Sequence, residues 1–185
     1  MKMAAWTTGE ISFLMFLQEN VRNDFLTPIM KFVSLIGEHG LLWIGILVIL
    51  LIFKKTRYAG LNGALSLIIG YVITNLILKI AVNRTRPYVV EKALIPLGVI
   101  PKDASFPSGH STAAFATATI LLLLLPKKIG IPTFVVACLM AFSRLYLGVH
   151  FPTDVLGGIA VGLMASLIAW KIMHTSKIKK AFNVV

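Results

Sequence analysis

Two histidines and an aspartate have types and spacing suited to nucleophilic and acid–base chemistry. His150 and Asp154 are four residues apart, a spacing that brings two side chains together at the start of a helix. A carboxylate bound to one imidazole nitrogen fixes the tautomer and makes the other nitrogen a stronger nucleophile. His110 lies on the first turn of another predicted helix and adds a proton donor. The alternative for this pair is an interfacial histidine with Asp154 capping the helix.

Three basic residues lie at the ends of apolar runs, at the same predicted depth. Lys79 and Arg86 are seven residues apart and share a face if their helix continues. Arg144 ends a long apolar run, and an ionisable residue in such a run is a functional candidate. Three converging cations repel each other unless an anion joins them, and phosphate suits the planar donors of arginine best. The alternative for Lys79 is a side chain that snorkels to the interface.

The residues that open the predicted helix at His110 also favour an anion. Ser108 and Gly109 leave backbone N–H groups free at a helix start, where the helix dipole attracts negative charge. An ordinary N-cap is the alternative. His110, His150 and Asp154 could in principle bind zinc. The nearby cations argue against a divalent ion, so we expect no metal and no cofactor.

Together these clusters resemble the type 2 phosphatidic acid phosphatase family of membrane lipid phosphatases. The family pattern is Lys, six residues, Arg-Pro; then Pro-Ser-Gly-His; then Ser-Arg, five residues, His, three residues, Asp. This sequence meets every fixed position, in order, between Lys79 and Asp154. The resemblance implies a helical core like that of acid phosphatases and vanadium-dependent haloperoxidases. The haloperoxidases are soluble, so the membrane character of this chain disfavours that activity.

The resemblance also implies a metal-free mechanism through a phosphohistidine. In it His150 attacks phosphorus and Asp154 orients its ring. His110 protonates the leaving oxygen and later activates water. The phosphate oxygens are held by the remaining residues of the pattern, which are Lys79, Arg86, Ser108, Gly109 and Arg144.

Composition independently predicts a membrane protein. Of 185 residues, 57% are apolar and only 14% are charged, with a mean hydropathy of +0.87. A soluble domain carries roughly 25% charged residues. The net charge is +11, but the basic residues form short clusters between apolar runs, which disfavours nucleic acid as a partner. The single cysteine, Cys138, excludes an intrachain disulfide.

The apolar runs predict an all-α, polytopic membrane protein in which residues 1–185 form a single phosphatase domain. We expect six transmembrane helices, at about Phe25–Ile36, Leu41–Phe53, Tyr58–Val82, Gly109–Leu125, Ile129–Val149 and Phe151–Trp170. Residues 10–20 are predicted to form an interfacial helix, and residues 83–108 an outward loop that carries part of the active site. Gly158 and Gly162, spaced by one helical turn, predict close helix packing.

Positive charge predicts the orientation, because cytoplasmic connections are enriched in Lys and Arg. The residues assigned to the cytoplasmic side are Lys2, Arg22, Lys54, Lys55, Arg57, Lys127, Lys128, Lys171, Lys177, Lys179 and Lys180. Both termini are then cytoplasmic, and the motif residues face the extracytoplasmic side of the cell membrane. His39 is expected to be an ordinary residue of an outward loop.

The predicted function is hydrolysis of a lipid phosphate, with undecaprenyl diphosphate, converted to undecaprenyl phosphate and phosphate, as the leading substrate. Phosphatidylglycerophosphate and phosphatidate are the alternative substrates. A protein that binds or transports a lipid phosphate without catalysis is the alternative of another class. It would need the cations, but not a His–Asp pair beside a second histidine. The expected partners are the lipid substrate and the bilayer.

Overall fold

The computed structural model describes residues 5–175, and every regular element in that range is a helix. The α-helices are α1 (Ala5–Phe16), α2 (Leu26–Ile36), α3 (Leu41–Ile52), α4 (Arg57–Tyr71), α5 (Lys79–Val82), α6 (Pro87–Val90), α7 (Gly109–Leu124), α8 (Lys127–Tyr146) and α9 (Pro152–Met173). Two π-helical segments, Leu17–Val21 and Val72–Leu78, follow α1 and α4, and a 3-10 turn, Glu38–Gly40, joins α2 to α3. The all-α prediction is confirmed.

Helix α7 is the centre of the bundle and packs against α4, α8 and α9. Its inward positions carry small or aliphatic side chains that are fully buried, among them Ala114, Ala118 and Ile120. Helix α9 approaches closely because it presents glycine. A Cβ on Gly158 would lie 2.5 Å from the Ser108 carbonyl oxygen, and one on Gly162 would lie 2.8 Å from that of Thr112. The predicted close packing is confirmed.

Several helices are suited to cross a bilayer. Within residues 5–175, three stretches are long and apolar enough: Arg57–Val90, Lys127–Tyr146 and Pro152–Met173. Helix α7 is shorter, with 16 residues, but it is also apolar. Large apolar side chains cover the outside of the bundle, with Ile80 at 72% exposure and Leu156 at 62%. Soluble proteins rarely expose so much apolar surface, so hydrocarbon is the natural solvent of these faces.

The expected six spans are not confirmed, because α2 and α3 are short. They have 11 and 12 residues, and such helices rise only about 17 Å against a hydrocarbon core of about 30 Å. The two pass as a membrane span only as a pair, bent by 48°. The bend lies at His39 and Gly40, which have φ of 50° and 75°.

The N-terminal elements lie at the end of the bundle that carries the motif residues. A stripe of α1 and the following π-helix (Ile11, Leu14 and Leu17) packs on Phe151 and Leu94. This stripe includes much of the predicted interfacial helix at residues 10–20.

The placement of Arg22 with the cytoplasmic cluster is therefore wrong. Its guanidinium donates to the carbonyl oxygens of Tyr146 at 2.9 Å and Ile95 at 2.7 Å, at the same end as the motifs. Arg22 thus satisfies exposed backbone acceptors there.

The opposite end holds the basic connections that the structure describes. Tyr58, next to Arg57, donates from its hydroxyl to the Met173 carbonyl oxygen at 3.0 Å. The start of α4 and the end of α9 therefore meet there, and Lys54, Lys55 and Lys171 belong to this end by their position in the chain. The predicted cytoplasmic residues Lys2, Lys177, Lys179 and Lys180 lie outside the described residues.

Candidate active site

One cavity brings together the residues of all three motifs. Its volume is about 610 Å³, and it reaches from the connection between α2 and α3 to the start of α7 and the end of α8. The motif residues that line it are Lys79, Arg86, Gly109, His110, Arg144 and His150. The two imidazoles, which come from segments 40 residues apart in sequence, therefore face one space. Ile44 and Ile68 line its other end.

A break in helical structure positions Lys79 and Arg86. The π-helical segment Val72–Leu78 ends immediately before Lys79, and α5 ends at Val82, before Asn83, whose φ is 43°. The helix does not continue to Arg86, as a shared helical face would have required. Arg86 instead precedes Pro87 at the start of α6 and turns back toward Lys79. π-helical segments are rare and often occur at functional sites.

A carboxylate already joins these two cations. Asp103 accepts from the Lys79 ammonium through Oδ2 and from Arg86 Nη2 through Oδ1 at 2.7 Å. The Asp103 backbone carbonyl also accepts from Arg86 Nε at 2.8 Å. Partial burial alone would raise the pKa of Asp103. The hydrogen bond and charge of Lys79, together with Arg86, outweigh that effect and lower the pKa to about 2.

Arg144 is a buried cation with open donors. Its side chain is 1% exposed, and Nη1 donates to the Ser34 hydroxyl. Among the described residues, its Nε and Nη2 have no hydrogen-bond partner. Buried polar groups are nearly always paired, because leaving a charged donor without a partner is costly. Because Arg144 also lines the cavity, an anion bound there is the expected partner for these two donors.

The contacts of His150 fix which nitrogen can react. Nε2 lies 3.2 Å from Arg86 Nη1, and Nδ1 lies 3.5 Å from Asp154 Oδ2. A guanidinium can only donate, so Nε2 is the acceptor and Nδ1 carries the proton toward the carboxylate. Burial lowers the pKa of His150 to about 4, with Arg86 and Arg144 acting in the same direction and Asp154 against them. A neutral imidazole with an unprotonated Nε2 is the form a nucleophile needs.

Asp154 lies behind His150 and is held by several donors. Its Oδ2 accepts from the Ser105 hydroxyl at 2.5 Å and from the Phe151 backbone N–H at 2.9 Å, the second contact being the helix cap considered from the sequence. Its Oδ1 accepts from Arg84 Nη1 at 2.6 Å. Arg84 also donates from Nη2 to Glu10 at 2.5 Å. The carboxylate is therefore both a cap and a partner of the histidine.

His110 contacts the connection between α2 and α3. Its Nε2 lies 3.2 Å from the Ser34 carbonyl oxygen and 3.6 Å from Glu38 Oε2. Both neighbours are acceptors when Glu38 is ionised, so Nε2 carries a proton. The Nε2 proton of His110 is therefore directed toward the Ser34 carbonyl oxygen and the Glu38 carboxylate.

Ser108 and Gly109 have different surroundings. Ser108 does not line the cavity, and its hydroxyl accepts from the Ser111 backbone N–H at 3.4 Å as the N-cap of α7. Gly109 lines the cavity, and a Cβ there would lie 3.9 Å from Lys79 Nζ. The missing side chain leaves the start of α7 open to a ligand. Within residues 5–175, no three His, Cys, Asp or Glu side chains are grouped as metal ligands.

Sequence reasoning missed the acidic residues and one arginine around the site. These are Glu10, Glu38, Arg84 and Asp103. Each contacts a motif residue or its neighbour. The three acidic residues come from segments without a spacing pattern, whereas Arg84 lies inside the first motif, between Lys79 and Arg86. His39, expected to have no site role, borders the cavity, although its side chain is 85% exposed.

The sequence profile of the PAP2 superfamily matches residues 59–178. The chain belongs to this superfamily. The resemblance drawn from the three motifs is thereby confirmed, and the protein is a lipid phosphatase, a membrane hydrolase of the PAP2 type. The helices that are long and apolar enough to cross a membrane agree with that membership, and so does a lipid phosphate as the class of substrate.

Individual relatives share most of the chain. It is 36% identical to an undecaprenyl-diphosphatase of Sulfolobus acidocaldarius over 84% of this chain and 74% of that one. It is 37% identical to the undecaprenyl-diphosphatase BcrC of Bacillus subtilis over 64% of this chain and 58% of that one. The crystal structure of a transmembrane PAP2-type phosphatidylglycerolphosphate phosphatase from Bacillus subtilis matches with a TM-score of 0.74 and 30% identity, over 92% of this chain and 87% of that one.

Proposed function

We propose that this PAP2 phosphatase hydrolyses undecaprenyl diphosphate to undecaprenyl phosphate and phosphate, through a phosphohistidine on His150. One observation carries the catalytic part of the proposal. His150, whose Nδ1 faces Asp154 and whose Nε2 accepts from Arg86, lines the same cavity as His110 and the buried cation Arg144. A binding or transport protein needs such a cation, but it does not need a neutral His150 backed by Asp154 and facing His110.

In the first step, Nε2 of His150 attacks the terminal phosphorus. The P–N bond forms as the bond from phosphorus to the bridging oxygen breaks, and His110, which enters this step as imidazolium, gives one proton to the leaving lipid phosphate. Asp154 stabilises the positive charge that develops on His150. Lys79, Arg86, Arg144 and the backbone N–H of Gly109 hold the equatorial oxygens, where charge stabilisation contributes most to phosphoryl transfer. Ser108 supports that N–H by capping α7.

In the second step, water attacks the phosphohistidine. His110, now neutral, takes a proton from the water as the new P–O bond forms and the P–N bond breaks. Phosphate leaves, and His150 returns to its neutral form. Each imidazole thus ends the cycle in its starting state, with one water consumed.

The cavity offers apolar side chains to a lipid tail next to the cations that would hold its phosphate. Beyond the cations it continues between α3 and α4, past Ile44, Leu67 and Ile68. Lys79 and Ile68 are 11 residues apart on one helical run, which corresponds to roughly 16 Å toward the bilayer centre. Two relatives are named for undecaprenyl diphosphate. The structural relative favours phosphatidylglycerophosphate as the second candidate, and phosphatidate stays an alternative from the sequence.

Phosphate release from these three lipids, measured in EDTA, tests the function. We expect turnover by the parent, loss of turnover in His150→Ala and Arg144→Ala, and an acid-labile, base-stable phosphoryl group on the parent in rapidly quenched reactions. Arg57→Ala is the matched control, because this arginine lies at the opposite end and donates to the Leu51 carbonyl oxygen. Lipid binding without turnover by the parent would favour the binding or transport protein instead.

We further propose that the cavity opens to the extracytoplasmic side of the cell membrane and that α2 and α3 form one bent span. The basic residues at the end opposite the cavity support this orientation. A single bent span puts Glu19 on the same side as Lys92, whereas six spans put them on opposite sides. In a Cys138→Ser background, cysteines at positions 19 and 92 should both react with an impermeant thiol reagent added to intact cells. Labelling of position 92 alone would restore six spans, and labelling of position 92 only after lysis would invert the orientation.

A further inference from the structure

Within residues 5–175, two of the three cations proposed to hold phosphate already have a carboxylate partner, and the third does not. On one side, Lys79 and Arg86 are both bound to the carboxylate of Asp103. On the other side, Arg144 keeps two nitrogens without a partner among the described residues. Arg86 has no donor to spare, since its five N–H groups have five protein acceptors: one at Nε, two at Nη1 and two at Nη2. An anion that enters can reach Arg144 directly, but it meets a carboxylate on the other two cations.

Asp103 differs from the cations in its exposure to solvent. Its side chain is 52% exposed, whereas those of Lys79 and Arg86 are 13% and 4% exposed. A second cavity of about 470 Å³ adjoins the Lys79–Asp103 contact and is bordered by Asn75, Ile80, Asn83 and Ala104. The carboxylate therefore has space into which it can rotate while the two cations stay in place.

We propose that Asp103 is a competing anion, which occupies the positions of phosphate oxygens on Lys79 and Arg86 and is displaced when phosphate binds. The proposal rests on the proposed function, in which these two cations hold phosphate. A carboxylate with one negative charge and a phosphate with two cannot share the cations without strong repulsion. Asp103 stays ionised across the working range, because its pKa lies at about 2. Asp103 therefore competes with phosphate for Lys79 and Arg86 over the whole of this pH range.

Two consequences follow for the reaction. First, a terminal phosphate or diphosphate, which brings two or more charges, displaces Asp103, whereas a phosphodiester with one charge gains little by doing so. Asp103 thus selects terminal phosphates over diesters. Second, the returning carboxylate helps to expel the phosphate product, which otherwise stays bound to three cations. Asp103 is a specificity residue in this scheme, and the chemical step itself belongs to the histidines.

The alternative role for Asp103 is to orient the two cations for substrate, and it predicts the opposite result. Asp103→Asn keeps the shape but removes the charge. If Asp103 competes, this variant binds inorganic phosphate about tenfold more tightly than the parent, and the discrimination against dimethyl phosphate, a monoanion, shrinks. If Asp103 orients, phosphate binding weakens.

The experiment measures the inhibition constant of inorganic phosphate against a short-chain lipid phosphate, and the phosphate concentration that half-maximally raises Tm. The second readout does not require an active variant. Asp103→Glu, which keeps the charge, should stay near the parent value. Glu91→Gln is the matched control, since it removes the same charge from the same connection, where the carboxylate accepts from the Ala93 N–H. An unchanged or weaker phosphate affinity in Asp103→Asn would overturn the proposal.

The same data separate this inference from the proposed function. If phosphate neither inhibits nor stabilises the parent, and Arg144→Ala hydrolyses lipid phosphates at the parent rate, the proposed function fails. If phosphate inhibits the parent and Arg144→Ala abolishes turnover, but Asp103→Asn does not tighten phosphate, only the competing role of Asp103 fails.

Discussion

Replacing Arg84 by glutamine should move the acid limb of the pH–rate profile to higher pH. Arg84 Nη1 lies 2.6 Å from Asp154 Oδ1, and the other oxygen of that carboxylate lies 3.5 Å from His150 Nδ1. The guanidinium therefore neutralises the carboxylate that faces the nucleophile. Without it, the charge of Asp154 favours the protonated form of His150, so a larger share of the enzyme loses its nucleophile at low pH.

These contacts set the size of the shift. The two distances and the width of a carboxylate place the guanidinium no more than about 8 Å from the imidazole. At an effective dielectric constant of about 20, one charge at that distance is worth about 2 kcal/mol, or about 1.5 pH units. The pKa of His150 in the parent is about 4. The acid limb of kcat/KM, which reports the free enzyme, should therefore move to between about pH 5 and about pH 6 in Arg84→Gln.

The assay compares kcat/KM profiles for one soluble short-chain lipid phosphate, so that substrate ionisation is common to all the proteins. Arg84→Lys keeps the charge and should keep the limb near the parent position, even where kcat falls with the lost bidentate geometry. Glu10→Gln removes the carboxylate that shares Arg84 and should move the limb to lower pH. The other charged or titratable groups that face His150 are Arg86, Arg144 and His110, and they are unchanged in these variants. A limb that stays in place while kcat falls would show a purely structural role and refute the reasoning.

Three further outcomes are expected. Asp154→Asn should lower kcat by about a thousandfold or more with little change in KM, because an amide no longer fixes the tautomer of His150; a kcat within tenfold of the parent would contradict this. Gly109→Ala should fold but raise KM, because its Cβ would point toward Lys79 and Asn75. The control is Gly45→Ala, whose Cβ meets nothing within 4 Å and which should match the parent in kinetics and Tm. The free energy of unfolding should rise with pH between about 4 and about 6.5, because the unfolded His150 binds a proton there that the folded one does not, and His150→Gln should flatten this slope in denaturation series.

The parts of the site that follow from local spacing could be predicted from sequence. His150 and Asp154 meet because α9 begins at Pro152, between them, so that a four-residue spacing places both side chains at one helix start. The packing role of Gly158 could be predicted because small residues one helical turn apart allow two helices to approach closely. These features need only the geometry of one helix, which the sequence determines.

The parts that depend on distant contacts could not be predicted. Asp103 and Glu38 are single carboxylates in irregular segments, and only the tertiary fold shows that they face motif residues. The six predicted spans are not confirmed for a related reason, since apolarity gives the length of a run but not a 48° bend between two runs. Arg22 was misplaced because a positive charge was taken as a topology signal, although its role is to bind the Tyr146 carbonyl oxygen.

The missed carboxylates explain how the site keeps its cations buried without a ligand. An unpaired buried charge costs several kcal/mol, and this fold places Asp103 on Lys79 and Arg86, while the charge of Glu38 acts on Arg144. A substrate must therefore replace interactions that already exist rather than fill an uncompensated positive site. A phosphate with several charges binds favourably because it accepts from the unpaired donors of Arg144 and also replaces Asp103 on Lys79 and Arg86. A singly charged lipid headgroup would only replace one monoanion, the Asp103 carboxylate, by another, so its binding gains little. Asp103 thereby keeps the abundant phosphodiester lipids of a bilayer from saturating the enzyme.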